Sequence, residues 1–414
     1  MSDWRTSGVP GFGVVTMTGS RDPVIVGVGE SASVGDVPGK SSLMLHAEAA
    51  AAAITDSGFK KEDVDGVLTN DSYLDYHVRH AMTFAEYFGI STSARMVTTI
   101  PLGSGASSGL FLRYAAQALR SGECEVVLAA SADNFLSGLK RSGAVQALAN
   151  NRDKEFEAPY GPILPACFGL VAQRHMHQYG TTPEQLASVA VTMRHHASLN
   201  PRAHVRTPIS VEDVLASRPV ASPFTVLMCS LISDGGAAVV ITTRERAMDL
   251  HQPMIDILGM GLAYGSQSDA RIHSSLSQAR SLVDIGTERS ATEALGMAGV
   301  SRDDIDFLMV YDCFAIMPIL FVEAAGFCSP GEGGAFFAEG RGLLGQRLPV
   351  NPHGGMMSYA HPGNPGGLFM FVEAVRQLRG AAVGRQVDGA ELAMVTGYGG
   401  QMAMWPVTVL GRSR

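Results

Sequence analysis

Charge is sparse in this chain, and long apolar runs are missing. Of its 414 residues, 17% are charged, and 31 basic residues stand against 39 acidic ones, which gives a formal net charge of −8. A nucleic-acid-binding protein usually carries a basic patch or stripe, so this balance argues against one. No apolar run approaches the ~20 residues that a transmembrane helix needs. The first residues also lack the charged-then-apolar pattern of a signal peptide. We therefore expect no nucleic-acid partner and no membrane span.

Paired cysteines are also missing. The chain has five cysteines, with no CxxC motif and no other metal-ligand spacing: Cys124, Cys167, Cys229, Cys313 and Cys328. An odd number of cysteines in apolar surroundings is typical of reduced, structural thiols. The sequence thus predicts a cytoplasmic protein without a metal site. Apolar residues, in contrast, make up 46% of the chain, enough for a large core, and the length allows two core-sized units.

One pattern of strands and helices occurs twice in the chain. In the first copy an alanine-rich helix is followed by a turn and a strand, and the same order returns in the second half. Four residue pairs keep a constant offset of 241 without a gap: Gly58 and Gly299, Asp63 and Asp304, Asp65 and Asp306, Asp71 and Asp312. A later helix, from Gly109 to Gly122, returns at an offset of 258. A repeat of half the chain length indicates two copies of one folding unit.

The repeat predicts an α/β fold of two related βαβαβ halves, 1–248 and 249–414, with mostly parallel sheets and helices on their faces. Residues of about 135–220 match nothing in the second half. We expect them to form an inserted loop region that covers the site. Four histidines of this region resemble metal ligands only loosely and are predicted at the surface or in a lid: His175, His177, His195 and His196.

A Gly/Pro-rich loop begins near Val350 and runs into an amphipathic helix that ends at Gly380. Glycine lets backbone and ligand approach closely, and the free N–H groups at a helix start suit an oxyanion. The loop carries Tyr359 and His361. Because ligands of open α/β sheets bind beyond the carboxyl ends of strands, we expect these two side chains to converge with Tyr311 and Tyr398 at one site.

Four motifs carry a family resemblance: Asp234-Gly235-Gly236-Ala237, Tyr311-Asp312-Cys313-Phe314, Asn351-Pro352-His353-Gly354-Gly355 and Ala360-His361-Pro362. In these motifs the chain resembles the thiolase superfamily, and in particular its sterol-carrier-protein type. Members of that family carry a nucleophilic cysteine where this chain has Ala106, and many carry a second cysteine where it has Gly397. Alanine cannot form an acyl-enzyme. Thiolysis through a cysteine is therefore not expected.

A thiolase-like chain without these cysteines resembles the steroid side-chain aldolases. The resemblance implies retro-aldol cleavage of a 3-hydroxyacyl-CoA, with a steroid-like or branched side chain, to a ketone or aldehyde and a shortened acyl-CoA such as propionyl-CoA. Tyr311 or Tyr359 would be the base, His361 would hold the enolate oxygen or reprotonate the enolate carbon, and Tyr398 would line the pocket. No cofactor would be bound by this chain, since the substrate carries coenzyme A. A homodimer and a small partner protein with a zinc ribbon and an OB-fold are also implied.

Two alternatives stay open. One is a Claisen-type or thiolase acyltransferase that uses groups other than cysteine. The other is a catalytically silent structural subunit of a thiolase-like complex, although such a subunit would have no reason to keep His361 together with several tyrosines.

Overall fold

The computed structural model describes residues 19–74, 79–90, 92–100, 105–149, 155, 158–161, 163–265, 281–400 and 402–413. The strands in these ranges are β1 (Pro23–Glu30), β2 (Gly66–Thr69), β3 (Met96–Thr99), β4 (Val126–Asn134), β5 (Pro219–Ala221), β6 (Phe224–Thr225), β7 (Asp234–Thr243), β8 (Ile255–Tyr264), β9 (Phe307–Met309), β10 (Leu392–Thr396) and β11 (Met404–Arg412). The helices are α1 (Ser42–Ser57), α2 (His80–Phe88), α3 (Ala106–Ser121), α4 (Phe135–Ala149), α5 (Leu164–Tyr179), α6 (Pro183–Leu199), α7 (Val211–Ala216), α8 (Arg244–Ala247), α9 (Thr287–Ala298), α10 (Ile316–Ala324), α11 (Gly333–Ala338), α12 (Gly355–Ser358) and α13 (Gly366–Leu378). Within these described ranges, none of the helices has both the length and the apolar character to cross a membrane.

One sheet connects the two halves of the chain. Its strand order is β3-β2-β4-β7-β1-β8-β11-β10-β9, and the antiparallel pair of β1 with β8 joins the halves. The predicted α/β fold of two related halves is confirmed, but the pairing is mixed rather than mostly parallel. The last strand of each half, β7 or β11, lies antiparallel between two neighbours, and parallel pairs are left at the two ends of the sheet.

Equivalent residues of the two halves have equivalent roles. Gly58 and Gly299 both end a helix in the left-handed conformation, at φ 82° and 68°. Asp65 accepts hydrogen bonds from backbone N–H groups at the start of β4, and Asp306 does the same at the start of β10. The constant offset in the sequence therefore corresponds to a structural repeat.

Two mostly buried helices, α3 and α13, pack against each other and against strands of the large sheet. They are equivalent in the repeat. Both begin near the carboxyl end of β9, where Tyr311 lies against Gly105. The starts of these two helices and the end of this strand form the frame of the site.

The inserted region is mainly helical, since it contains α4 to α7. The prediction that its four histidines lie at the surface or in a lid is wrong for two of them. His175 is buried, with its ring nitrogens 2.7 Å from Thr181 Oγ1 and 3.1 Å from Glu323 Oε2. His196 is also buried, and its Nε2 accepts a hydrogen bond from the backbone of Leu344 at 2.9 Å. The His175 ring therefore connects α5 with α10, and the His196 ring connects α6 with the loop at Leu344.

Candidate active site

Tyr311 is fixed at the end of β9 by its neighbours in the sequence. The side chain of Asn351 exchanges two hydrogen bonds of 2.8 Å with the backbone of Val310. Asp312 accepts hydrogen bonds from Asn351 Nδ2 at 3.0 Å and from two backbone N–H groups of α12 at 2.8 and 3.1 Å. Burial raises the pKa of Asp312 to about 7, while these backbone donors favour the ionised form. Asn351 and Asp312 thus connect the end of β9 to the Gly-rich loop, at the residues just before and just after Tyr311 in the sequence.

His361 lies between Tyr311 and two serines. Its Nε2 is 2.9 Å from the hydroxyl oxygen of Tyr311, and its Nδ1 is 2.9 Å from Ser230 Oγ. Its backbone N–H donates to Ser233 Oγ at 2.6 Å. Burial lowers the pKa of His361 to about 4, so the ring is neutral at physiological pH. The imidazole is thus oriented from both ring nitrogens.

Tyr398 joins this group from the turn after β10. Its ring centroid is 5.5 Å from that of Tyr311, and its backbone oxygen accepts a hydrogen bond from Ala106 N at 2.8 Å. Burial, with smaller contributions from Cys313 and Tyr398, raises the pKa of Tyr311 well above its ordinary value. Tyr311, His361 and Tyr398 therefore lie together as expected, with Tyr311 as a neutral phenol. The expectation that Tyr398 lines the pocket is wrong for the cavity beside His361, since Tyr398 is packed behind Tyr311 and is not among its lining residues.

Tyr359 does not join the group, contrary to the expectation that it would. Its hydroxyl donates to Glu30 Oε1 at 2.7 Å, and Glu30 Oε2 pairs with Arg202 Nε at 2.9 Å and Arg376 Nη1 at 3.0 Å. Its ring contacts His353, at a centroid distance of 5.1 Å. Burial raises the pKa of Tyr359. Because the hydroxyl donates a hydrogen bond to a buried carboxylate, this geometry makes Tyr359 an anchor of the loop rather than a base.

The two positions where the resemblance places thiolase cysteines contain no nucleophile. Ala106 is the first residue of α3. At Gly397 a Cβ would lie 2.7 Å from Pro406 Cγ and 3.1 Å from the backbone oxygen of Gly105, so a cysteine there would force its neighbours to move. A Cβ at Gly105 would lie 1.9 Å from the ring of Tyr311, which shows how tightly that ring fills the space beside α3.

Two other thiols, Cys229 and Cys313, line the cavity described below. Burial raises the pKa of Cys229 to about 12 and raises that of Cys313 well above its ordinary value. Since the thiolate is the nucleophilic form, neither group is prepared to accept an acyl chain.

A cavity of about 380 Å³ opens beside His361. This volume lies within the range of small-molecule sites. The inserted region supplies part of the wall, and most of the other wall residues are apolar. The lining residues are Phe135, Val145, Leu164, Pro165, Arg194, Val205, Arg218, Val220, Val226, Leu227, Cys229, Ser230, Leu231, Ile232, Cys313, Phe314, Met357 and His361.

Sequence reasoning missed Ser230, Ser233 and Glu30. The two serines come just before the Asp234-Gly235-Gly236 motif, and this position was the available signal. Glu30 follows the first strand, and no local pattern connects it with a tyrosine 329 positions away.

Residues 268–412 match the family model described as "Thiolase C-terminal domain-like". The chain is also 33% identical to the acetyl-CoA acetyltransferase of Methanothermobacter thermautotrophicus over 95% of this chain and 100% of that protein. The protein belongs to the thiolase superfamily. This thiolase-like chain is 34% identical to the steroid side-chain-cleaving aldolase of Thermomonospora curvata, over 87% of this chain and 91% of the aldolase. A solved Ltp2–ChsH2(DUF35) aldolase matches with a TM-score of 0.80 and 29% identity, over 95% of this chain and 98% of that one. The resemblance inferred from the motifs is confirmed.

Proposed function

We propose that this chain catalyses retro-aldol cleavage of a 3-hydroxyacyl-CoA to a ketone or aldehyde and a shortened acyl-CoA, without a covalent acyl-enzyme. The observation that carries the proposal is the 2.9 Å contact between Tyr311 and His361, because His361 lines an apolar cavity and Tyr311 lies directly behind it. The thiols at that cavity are held protonated by burial. The similarity to named aldolases supports the same chemistry.

Tyr311 acts as a relay for the proton of the substrate hydroxyl. We place the ring proton of neutral His361 on Nδ1, near Ser230 Oγ, so that Nε2 accepts a hydrogen bond from the hydroxyl of Tyr311. Because its pKa is raised, Tyr311 is not ionised in the resting enzyme. As the substrate O–H proton moves to the tyrosine oxygen, the tyrosine's own proton moves to His361.

Cleavage then follows from the negative charge on the substrate oxygen. The Cα–Cβ bond breaks, and the carbon that carried the hydroxyl becomes the carbonyl carbon of the ketone or aldehyde. The electron pair of the broken bond forms the enolate of the shortened thioester. The imidazolium of His361 is a stronger acid than an ordinary imidazolium, because burial lowers its pKa to about 4. It returns the proton through Tyr311 to the enolate carbon, and the site is restored with no net gain or loss of protons.

An acyltransferase is the second candidate, favoured by the similarity to an acetyl-CoA acetyltransferase over 95% of this chain. The two functions differ in their need for free coenzyme A. A 3-hydroxyacyl-CoA with a tertiary hydroxyl should yield ketone at the same rate with and without added CoA. If instead a 3-ketoacyl-CoA is cleaved when CoA is added and the hydroxy substrate is not, the retro-aldol proposal is wrong.

The pH profile of kcat/KM should show the low pKa of His361. The relay requires the neutral ring, so activity should persist as the pH falls below 6.5 and be lost as it falls through about 4. An unperturbed histidine would cause the loss near pH 6.5. Circular dichroism at each pH separates titration from unfolding. An acid limb near pH 6.5 in folded protein would contradict this assignment.

The substrate skeleton, the cytoplasmic location and the absence of a bound cofactor remain predictions. We propose that the chain works beside a small partner protein, because the solved aldolase is named as Ltp2 together with ChsH2(DUF35). The homodimer stays a prediction from the family resemblance. Co-expression with a DUF35 protein, followed by gel filtration and light scattering, tests the assembly. Elution of the two proteins apart, with full activity in the fraction that contains this chain alone, would contradict it.

A further inference from the structure

Arg194 is a buried cation without a carboxylate partner in the part of the chain that the structure describes. Its side chain extends from α6 and the residue is 5% exposed. Nε donates to Ser358 Oγ at 2.9 Å and Nη1 donates to the backbone oxygen of Thr207 at 3.1 Å, so both of these acceptors are neutral. The ion pairs among described residues do not include it. Burying a guanidinium in this way is costly unless a counter-charge arrives.

The same arginine lines the cavity that His361 faces. The described residues around this cavity include no aspartate or glutamate, and the other charged side chain among them is Arg218, which is exposed. The cavity therefore combines positive charge with apolar walls. The proposed reaction uses neither arginine, and this leaves the charge without a role in the chemistry. A ligand that is largely apolar and carries one anionic group would match these walls.

We propose that Arg194 binds a carboxylate on the acyl group, so that the preferred substrates are CoA half-thioesters of dicarboxylic acids. This inference rests on the proposed function and specifies its substrate class. The planar guanidinium matches a carboxylate in geometry as well as in charge. A phosphate of coenzyme A is the other source of an anion. We favour the carboxylate because a hydrated phosphate would meet the exposed Arg218 before the buried Arg194.

The test compares two 3-hydroxyacyl-CoAs of equal length, one ending in a carboxylate and one in its methyl ester. The kcat/KM of the wild-type protein should be higher for the carboxylate by at least about tenfold, which is the effect expected of one hydrogen bond to a charged group. In Arg194→Gln the ratio should fall to about one, since the cation is gone. Arg218→Gln is the matched control: it removes the same charge from an exposed position and should keep the ratio.

Binding of analogues without the 3-hydroxyl separates this inference from the proposed function. Titration calorimetry with the acid and ester analogues should show the same preference even if no cleavage occurs. No preference in the wild-type protein overturns the inference whatever Arg194→Gln does, including a failure to fold. An equal loss of kcat on both substrates in Arg194→Gln would assign Arg194 to the thioester instead. Weaker binding of free coenzyme A, matching the loss for the acid analogue, would assign it to a phosphate. Either result would overturn the inference.

Discussion

Tyr311→Phe should lower kcat by about 10²–10⁴-fold, the usual contribution of a positioned acid or base. The substitution removes a hydroxyl that lies 2.9 Å from His361 Nε2 and keeps the ring that packs against Gly105. Binding of the substrate should change little, so KM should stay within a few-fold. Steady-state kinetics measure both constants, and thermal unfolding confirms that the variant is folded.

Tyr359→Phe is the matched control for this prediction. It removes a hydroxyl of the same kind from the loop that carries His361, but one that donates to Glu30 rather than facing His361. We expect a loss of stability with kcat reduced less than about tenfold, because a hydrogen bond to a charged group is worth about 1.5–3 kcal/mol. A larger loss of kcat in Tyr359→Phe than in Tyr311→Phe would reverse the assignment.

The double variant Tyr311→Phe, His361→Ala should be barely slower than His361→Ala, since the effects of residues in one relay are not additive.

The second large effect concerns the stability of the loop rather than the chemistry. Glu30→Ala should lower the free energy of unfolding by about 3 kcal/mol, the lower end of the range for a broken buried ion pair, because Arg376 loses its buried counter-charge while Arg202 is partly exposed to solvent. Burial alone would raise the pKa of Glu30, but the two arginines and Tyr359 together hold that pKa below its ordinary value. The stabilisation is therefore present above pH 4.5, the ordinary value, and is lost as the pH falls below it.

Urea unfolding at several pH values tests this second prediction. The difference between wild type and Glu30→Ala should shrink as the pH falls below the ordinary glutamate value. Glu48→Ala is the control, because the ion pair of Glu48 with Lys40 is partly exposed and should be worth about 1 kcal/mol or less. Equal effects of the two substitutions would mean that the buried cluster does not hold the loop.

The repeat was readable from the sequence because both halves use the same local devices. In each half a glycine ends the first helix, and an aspartate accepts hydrogen bonds from backbone N–H groups at the start of a later parallel strand. The constant spacing of Gly58 and Gly299, and of Asp65 and Asp306, therefore reflects the structure. The direction of pairing was not readable. The direction of β7 depends on the long connection from β4 through the inserted region, whose path no local pattern specifies. β11 follows β10 after a short turn, which is compatible with the antiparallel pair that forms.

The site was readable where two motifs share a strand end and a loop. Asn351 and Asp312, which belong to two of the quoted motifs, fix the strand end that carries Tyr311, and Tyr311 in turn contacts His361. Tyr359 was misplaced because two residues along an irregular loop can face opposite sides, and the acceptor that decides the matter, Glu30, is distant in sequence. The burial of Arg194 was not readable from the sequence, because it depends on how the inserted region packs on the cavity.

The most direct test of the retro-aldol proposal is a rapid-quench single turnover of a 3-hydroxyacyl-CoA by excess enzyme, without free coenzyme A. Ketone and shortened acyl-CoA are measured together with the intact mass of the protein. If cleavage is a retro-aldol reaction without an acyl-enzyme, the two products form in equal amounts and at the same rate while the protein mass stays unchanged. A transient mass increase equal to an acyl group, or no ketone until coenzyme A is added, would contradict it.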